Sequence, residues 1–339
     1  MPALPVGKLR AELLEGWFKK YVPGGERVVL GPRVGEDAAV IDIGDRYLVA
    51  TTDPITFATD EAGWYALHVN ANDLAVRGAR PLWFLATVLL PEGVTSEARV
   101  EALFEELGAA CAELDVALVG GHTEVTAGLT RTIISGTMLG EVAKDRLVTT
   151  GGARAGDVVL LTKGVPLEGT AILARECGDE ARRRGVPADV VERARGYLRH
   201  PGISVVPEAR LACVAARVHA MHDPTEGGVA TACWELAQAA DLGVRVDRER
   251  IPVLAEGRVL CNAFGLDPLG TIASGSLLVA VDRNDADAVI AACRGGGIEC
   301  AAIGHMTPAV EGVTLTTGGI ARPMPSFTQD EITKIFAGT

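Results

Sequence analysis

Aromatic residues make up only 4% of this 339-residue chain, and its 32 Lys and Arg are outnumbered by 44 Asp and Glu, a formal charge of −12. Binding a phosphate backbone needs a basic surface, so a nucleic-acid partner is excluded. A local basic pocket for a small anion is not excluded, because net charge describes the whole surface rather than one site. No apolar run approaches the ~20 residues of a membrane helix; the longest is LWFLATVLL at 82–90. The N-terminal stretch carries Lys8, Arg10, Glu12 and Glu15, which leaves no apolar signal core. The seven cysteines form no C-x-x-C and no close Cys/His cluster of zinc spacing. Contexts such as LACVA, ATACWELA and IAACRG suit small buried hydrophobes in a reducing compartment. A cytoplasmic protein is expected. Also missing are G-x-x-x-x-G-K-[ST], a G-x-G-x-x-G after a strand, G-x-S-x-G and H-E-x-x-H. P-loop, dinucleotide-fingerprint, serine-hydrolase and zincin chemistries therefore drop out.

What is present is a soluble globular composition, 48% hydrophobic, in a chain long enough for two domains. Helical spacing marks residues 9–21, 61–77, 95–114, 168–177, 179–199, 207–217, 226–240, 255–264 and 284–294. Strand patterns mark 38–43, 46–52, 82–90, a short VALVG at 116–120, 130–142, 158–164, 218–223, 243–247, 276–282 and 299–306. Residues after about 318 show little pattern. The Gly-rich VTTGGARAGD at 148–157 is the boundary candidate, dividing 1–150 from 151–339. Helices and strands mixed in two halves indicate α/β or α+β layers.

Chemistry concentrates in acid-bearing segments. In helix 61–77, Trp64, Leu67, His68, Ala71, Leu74 and Ala75 form an apolar stripe, with His68 read as a core histidine. Asn70, Asp73 and Arg77 fall on another, polar face that is either solvated or aimed at a ligand. VGEDAAVI places Glu36 and Asp37 before a strand, and VATTDPI ends a strand with Thr51, Thr52 and Asp53. LVGGHTEVT ends another with Gly120 and Gly121, then His122, Thr123 and Glu124. MHDPTEGGVA ends a third with Asp223, then enters a helix through Gly227 and Gly228. Singly, each is an ordinary turn or cap acid. Together, acids at strand ends beside glycines suit a phosphate–Mg²⁺ site. Lys163, a strand-end lysine before a glycine, either contacts phosphate as a point charge or stands exposed.

GEDAAVI, TTDP, NANDLAVRGARP, GGHTEV and HDPTEGGVA occur in the order seen in the aminoimidazole-ribonucleotide synthetase-like (PurM-like) ATP-binding superfamily, which this chain resembles over roughly residues 30–306. The second half, HDPTEGGVATACWELAQAADLGVRVDRERIPV followed by GLDPLG, is most similar to its hydrogenase maturation (HypE) branch. The resemblance implies a two-domain α/β (α+β) subunit in a homodimer whose N-terminal sheets pair into a barrel-like core. It implies ATP in a cleft, with Mg²⁺ held by Asp37, Asp53, Asp73 and Asp223. Thr52, Asn70, Gly120, Gly121 and Thr123 match nucleotide-side positions. Asp73, Asp53 and His122 match catalytic ones, although many members carry an acid where His122 stands. The shared chemistry passes the γ-phosphate to a nucleophile, and a maturation partner protein is implied. Members of the branch carry a carbamoyl group on a C-terminal cysteine. This sequence ends KIFAGT, with Cys300 its last cysteine, so that carbamoyl-to-cyanide chemistry has no visible acceptor in it; separately, the resemblance leads us to expect an unidentified oxygen as the phosphoryl acceptor. The other readings are a thiamine-monophosphate-kinase-like enzyme and a non-catalytic nucleotide-binding partner.

Overall fold

The computed structural model describes residues 9, 11–22, 24–33, 35–55 and 61–336. A first sheet is built from β1 (Val28–Leu30), β2 (Ala39–Asp42), β3 (Arg46–Ile55), β4 (Arg80–Pro91), β5 (Ala117–Thr126) and β6 (Ile133–Ala143). Its order is β1-β2-β3-β6-β4-β5. Only the β4–β5 pair is parallel. Helix α1 (Ala11–Tyr21) precedes it, and α2 (Ala62–Ala75) and α3 (Glu97–Leu114) connect its strands. Within one chain this sheet is open, with β1 and β5 at its edges.

A second sheet joins β7 (Val158–Thr162), β8 (Ala220–His222), β9 (Gly243–Asp247), β10 (Leu278–Val281), β11 (Cys300–Thr307), β12 (Val313–Thr317) and β13 (Ile320–Pro323) in the order β13-β12-β9-β11-β7-β10-β8. With it go α4 (Leu167–Glu176), α5 (Gly178–Arg183), α6 (Ala188–Arg195), α7 (Val206–Ala215), α8 (Gly228–Ala240), α9 (Ala255–Phe264), α10 (Ala286–Gly295) and α11 (Thr333–Phe336). The mixed α/β architecture expected from the sequence is what forms.

Three local expectations are corrected. The charged helix at 179–199 is two helices, because Gly185 takes a left-handed φ of 91° and Pro187 follows two residues later. The patternless tail supplies β13, which forms a hairpin with β12, a strand just before it that the sequence patterns do not mark and that lies parallel to β9. The short strand at 116–120 runs on to Thr126, so His122 stands inside a strand rather than after one.

α2 decides how the two halves meet. Every residue in it except Val69 is buried. Its stripe packs on β3, β4 and β6, where fully buried Leu67 and Leu74 each stabilise the fold by roughly 1.5–3 kcal/mol. The opposite side is covered by the second half, since Leu167, Ala171, Leu198 and Ile203 join the first-half core. Ala75 and Val76 join a core with Leu160, Val205 and Ala209. The polar face is therefore enclosed rather than solvated. Asn72 staples the halves: its amide donates to the Ile203 carbonyl at 2.8 Å and accepts from the Val205 N–H at 2.8 Å. His68 is the core histidine expected, stacked on Trp64 with Nδ1 2.9 Å from the Trp64 carbonyl.

Candidate metal–phosphate site

The acids gather where α2, the segment before β2, strand β3 and the turn after β8 converge. Asp37, His222 and Asp223 each offer a ligand atom within 4.8 Å of the others. Asp73 enters from α2, with Oδ2 2.6 Å from the Thr51 hydroxyl, which also lies 2.9 Å from the Asp37 carbonyl. Asp53 is fixed through its backbone. Its N–H donates to Asn70 Oδ1 at 2.9 Å, while Asn70 Nδ2 donates to the carbonyls of Ala66 (2.8 Å) and Asp53 (3.3 Å). Gly136 of β6 makes room for this, because a Cβ there would strike the Asn70 amide and the Phe84 ring.

Arg77, fully buried, balances part of the charge. Its guanidinium reaches Glu36 at 2.6 Å, Asp37 at 2.8 Å and the Thr150 hydroxyl at 2.9 Å. Glu36 in turn accepts the N–H groups of Thr150 and Gly151, both at 3.2 Å. The first half is thereby tied to the link between the sheets. His222 supplies a second cation. Its Nδ1 is 3.1 Å from Asp37 and its Nε2 2.8 Å from Glu235. Burial pulls the imidazolium down, but the carboxylates of Asp37 and Glu235 outweigh it and hold the group protonated well above the usual histidine range. With both nitrogens donating to carboxylates, His222 is a counter-charge rather than a metal ligand.

Two cations do not cancel the acids. Burial pushes Asp223 up to about 7, with the Asp37 carboxylate adding to the rise. Burial, then the carboxylates of Asp53, Asp223 and Asp37, hold Asp73 well above the carboxylate range. Asp223 Oδ1 is buried with no hydrogen-bond partner among the described residues. An orphaned carboxylate oxygen amid mutually repelling acids is what an oxygen-preferring divalent cation would relieve, so the donor set fits Mg²⁺.

Other sequence-predicted residues lie elsewhere. Thr52, Gly120, Gly121, His122 and Thr123 belong to the first sheet, all but Thr52 on edge strand β5, where every residue from Ala117 to Val125 is exposed. The Thr52 hydroxyl donates to the Gly136 carbonyl at 2.7 Å. Gly121 has a φ of 148° and leaves no space for a Cβ against the Ala86 carbonyl, beside a register shift in β4–β5. His122 faces Glu124 at 3.0 Å, not the aspartates. Lys163 is neither exposed nor aimed at the cluster: Nζ is spent on the carbonyls of Gly202 (3.0 Å) and Ser204 (2.6 Å) and on Glu208 (2.8 Å). The Gly227 N–H, in the glycine pair after Asp223, donates to Asp330 at 2.7 Å. Arg77 and Thr51 stand in segments the sequence singles out but carry no assigned role there, and His222, Glu235 and Thr150 are not read from it as site residues. The signal for two of them was adjacency, since His222 precedes Asp223 and Thr51 shares TTDP.

Comparison with known proteins settles the family. Residues 35–142 match the AIR synthase related protein N-terminal domain and residues 154–315 the C-terminal domain of the same family. Carbamoyl dehydratase HypE of Rhizobium leguminosarum bv. viciae is 30% identical over 318 residues, 88% of this chain and 83% of that protein. The chain belongs to the AIR synthase-related family of enzymes. Its fold is also that of HypE in a HypE–HypF complex, with a TM-score of 0.73 at 23% identity over 94% of this chain and all of that one. A hydrogenase maturation protein HypE in complex with ATP matches at a TM-score of 0.67 and 24% identity, over 96% of this chain and 97% of that one.

Proposed function

We propose that the chain is an ATP- and Mg²⁺-dependent enzyme of the HypE type that activates an oxygen acceptor by phosphoryl transfer. The observation that carries this is the meeting of half-buried Asp37 with buried Asp223, from opposite halves, one Asp223 oxygen being orphaned, with Asp73 tied in beside them through the Thr51 hydroxyl. Asp37, Asp53, Asp73 and Asp223 would hold the metal, which supplies charge neutralisation for a nucleotide's phosphates and for the transition state. The chain's own part is positioning. Asn70 fixes the backbone of Asp53, Thr51 orients Asp73, and Arg77 and His222 orient Asp37. The acceptor oxygen bonds to the γ-phosphorus as the bond to the β-phosphate oxygen breaks and ADP leaves.

An oxygen acceptor is supported by the state of the thiols. None of the seven cysteines is exposed. Burial pushes Cys213 up to about 11 and Cys233 and Cys261 up to about 12, away from the thiolate that attacks, while Cys293, which a hydrogen bond with Cys300 lowers, is fully buried. The likeness to HypE in its HypE–HypF complex supports a maturation partner protein. Exposed Leu118, Val119 and Val125 on the unpaired edge β5 support a homodimer through that strand. His122 and Glu124 would then lie at the interface.

Calorimetric titration of ATP with and without Mg²⁺, beside a phosphate-release assay over oxygen acceptors including carbamoylated peptides, tests this reading. Tight binding should require Mg²⁺, and Asp73→Asn should abolish turnover without lowering the melting temperature. Equal ATP affinity with and without Mg²⁺ would sink it.

A further inference from the structure

A cavity of about 640 Å³ opens between the halves at the far end of α2 from the acid cluster. Its wall includes Ala62 and Leu103, and Arg99, Arg175 and Arg195 line it together with Glu61 and Glu106. Its size and its place between two halves are those of a small-molecule site. Ala62 and Asp73 are eleven residues apart on one helix, so about 16 Å separates the two sites along the axis at 1.5 Å per residue.

The charge is not balanced within the wall. Glu61 is ion-paired at both oxygens, one 2.7 Å from Arg175 and the other 2.5 Å from Arg199. It is held at a left-handed φ of 55°, a conformation that costs a non-glycine residue energy and concentrates at ligand sites. Arg195 gives Nε to the Ala174 carbonyl and approaches Glu192 only to 3.6 Å. Arg99 makes no ion pair among the described residues. Two guanidiniums therefore retain donors suited to forked recognition of a carboxylate or phosphate, above an apolar floor. In a chain of net charge −12, such a concentration of arginines is the local exception that bulk charge does not forbid.

We infer that this cavity binds a small organic anion, its carboxylate or phosphate held by Arg99 and Arg195 and its carbon body on Leu103 and Ala62. The site is separate from the acid cluster and does not depend on the phosphoryl-transfer reading.

The test uses the full chain without nucleotide or Mg²⁺, and 8-anilinonaphthalene-1-sulfonate as a fluorescent organic anion. Saturable binding should weaken on the order of tenfold in Arg99→Ala, the loss of one charge-assisted hydrogen bond, and further in Arg99→Glu. Arg80→Ala, a surface arginine paired with Asp115, should leave it unchanged, as should Asp73→Asn. Competition separates the two head groups: displacement by citrate assigns a carboxylate, by glycerol 3-phosphate a phosphate. Equal affinity in wild type and Arg99→Glu, or displacement by neither competitor, overturns the assignment. Loss of binding in Asp73→Asn overturns its separateness.

Discussion

Replacing Asp223 with Asn should make the metal-free protein more stable while removing its metal response. Asp223 is only 2% exposed and has an orphaned oxygen among other carboxylates. Its pKa is pushed from 3.8 up to about 7. A folded-state value raised by burial means that stability is fullest below the unfolded value and is lost as pH rises through the folded one. The loss grows from pH 3.8 and levels off near pH 7, where it amounts to roughly 4 kcal/mol. An asparagine carries no charge to bury, and its amide can donate to a neighbouring carboxylate. At pH 8 without Mg²⁺ the variant should therefore melt higher, by on the order of 10 °C if the full amount is recovered. At pH 5 the gain should shrink to roughly 1–2 kcal/mol, and it should vanish below pH 4. Addition of Mg²⁺ at pH 8 should stabilise wild type and leave the variant unmoved. Differential scanning calorimetry across pH 4–8 checks all three limbs. A variant less stable than wild type at pH 8, or a gain independent of pH, refutes the reasoning.

Arg77→Met strips the guanidinium from buried Glu36 and from Asp37. It should cost about 3–5 kcal/mol, as breaking a buried ion pair does; urea denaturation at pH 7.5 showing less than about 1 kcal/mol would remove Arg77 from its structural role. Val119→Glu, on exposed β5, should convert a particle of twice 35.4 kDa to a single chain by light scattering; a persisting dimer places the interface elsewhere.

Much of the fold was legible because local patterns and tertiary packing agree. α9 begins and ends where its periodicity predicts, at Ala255 and Phe264, while α3 starts at Glu97 rather than at 95, with Ser96 as its cap. The disagreements arise where non-local packing decides. A helical stripe could not show that the other side of α2 is also covered, because Leu167, Leu198 and Ile203 come from the other half of the chain. Nor could Lys163 be read as buried, since its partners Gly202, Ser204 and Glu208 are brought to it only by the second sheet's connections. Asp37, Asp73 and Asp223 were recognisable as candidates, but what neutralises them was not. Arg77 looked like one more residue of a polar face. His222 is defined as a cation by Glu235, a partner on a different element.

That neutralisation explains why so acidic a site survives burial. Arg77 and His222 both bind Asp37, and each also holds a second acid, Glu36 or Glu235. Their charges are thus distributed over Asp37 and two acids outside the aspartate set, while Asp73 is left with a hydroxyl and Asp223 with an orphaned oxygen. Had either cation sat between Asp73 and Asp223, the fold would be relieved and the place for a divalent ion filled. The pairing instead fixes the geometry of Asp37 and leaves an uncompensated negative field at the junction of the two halves. A divalent cation arriving there would strengthen the contact between α2 and the turn after β8. Metal binding would then add to the packing that already joins the halves, with the stability missing from the metal-free protein recovered when the ion binds.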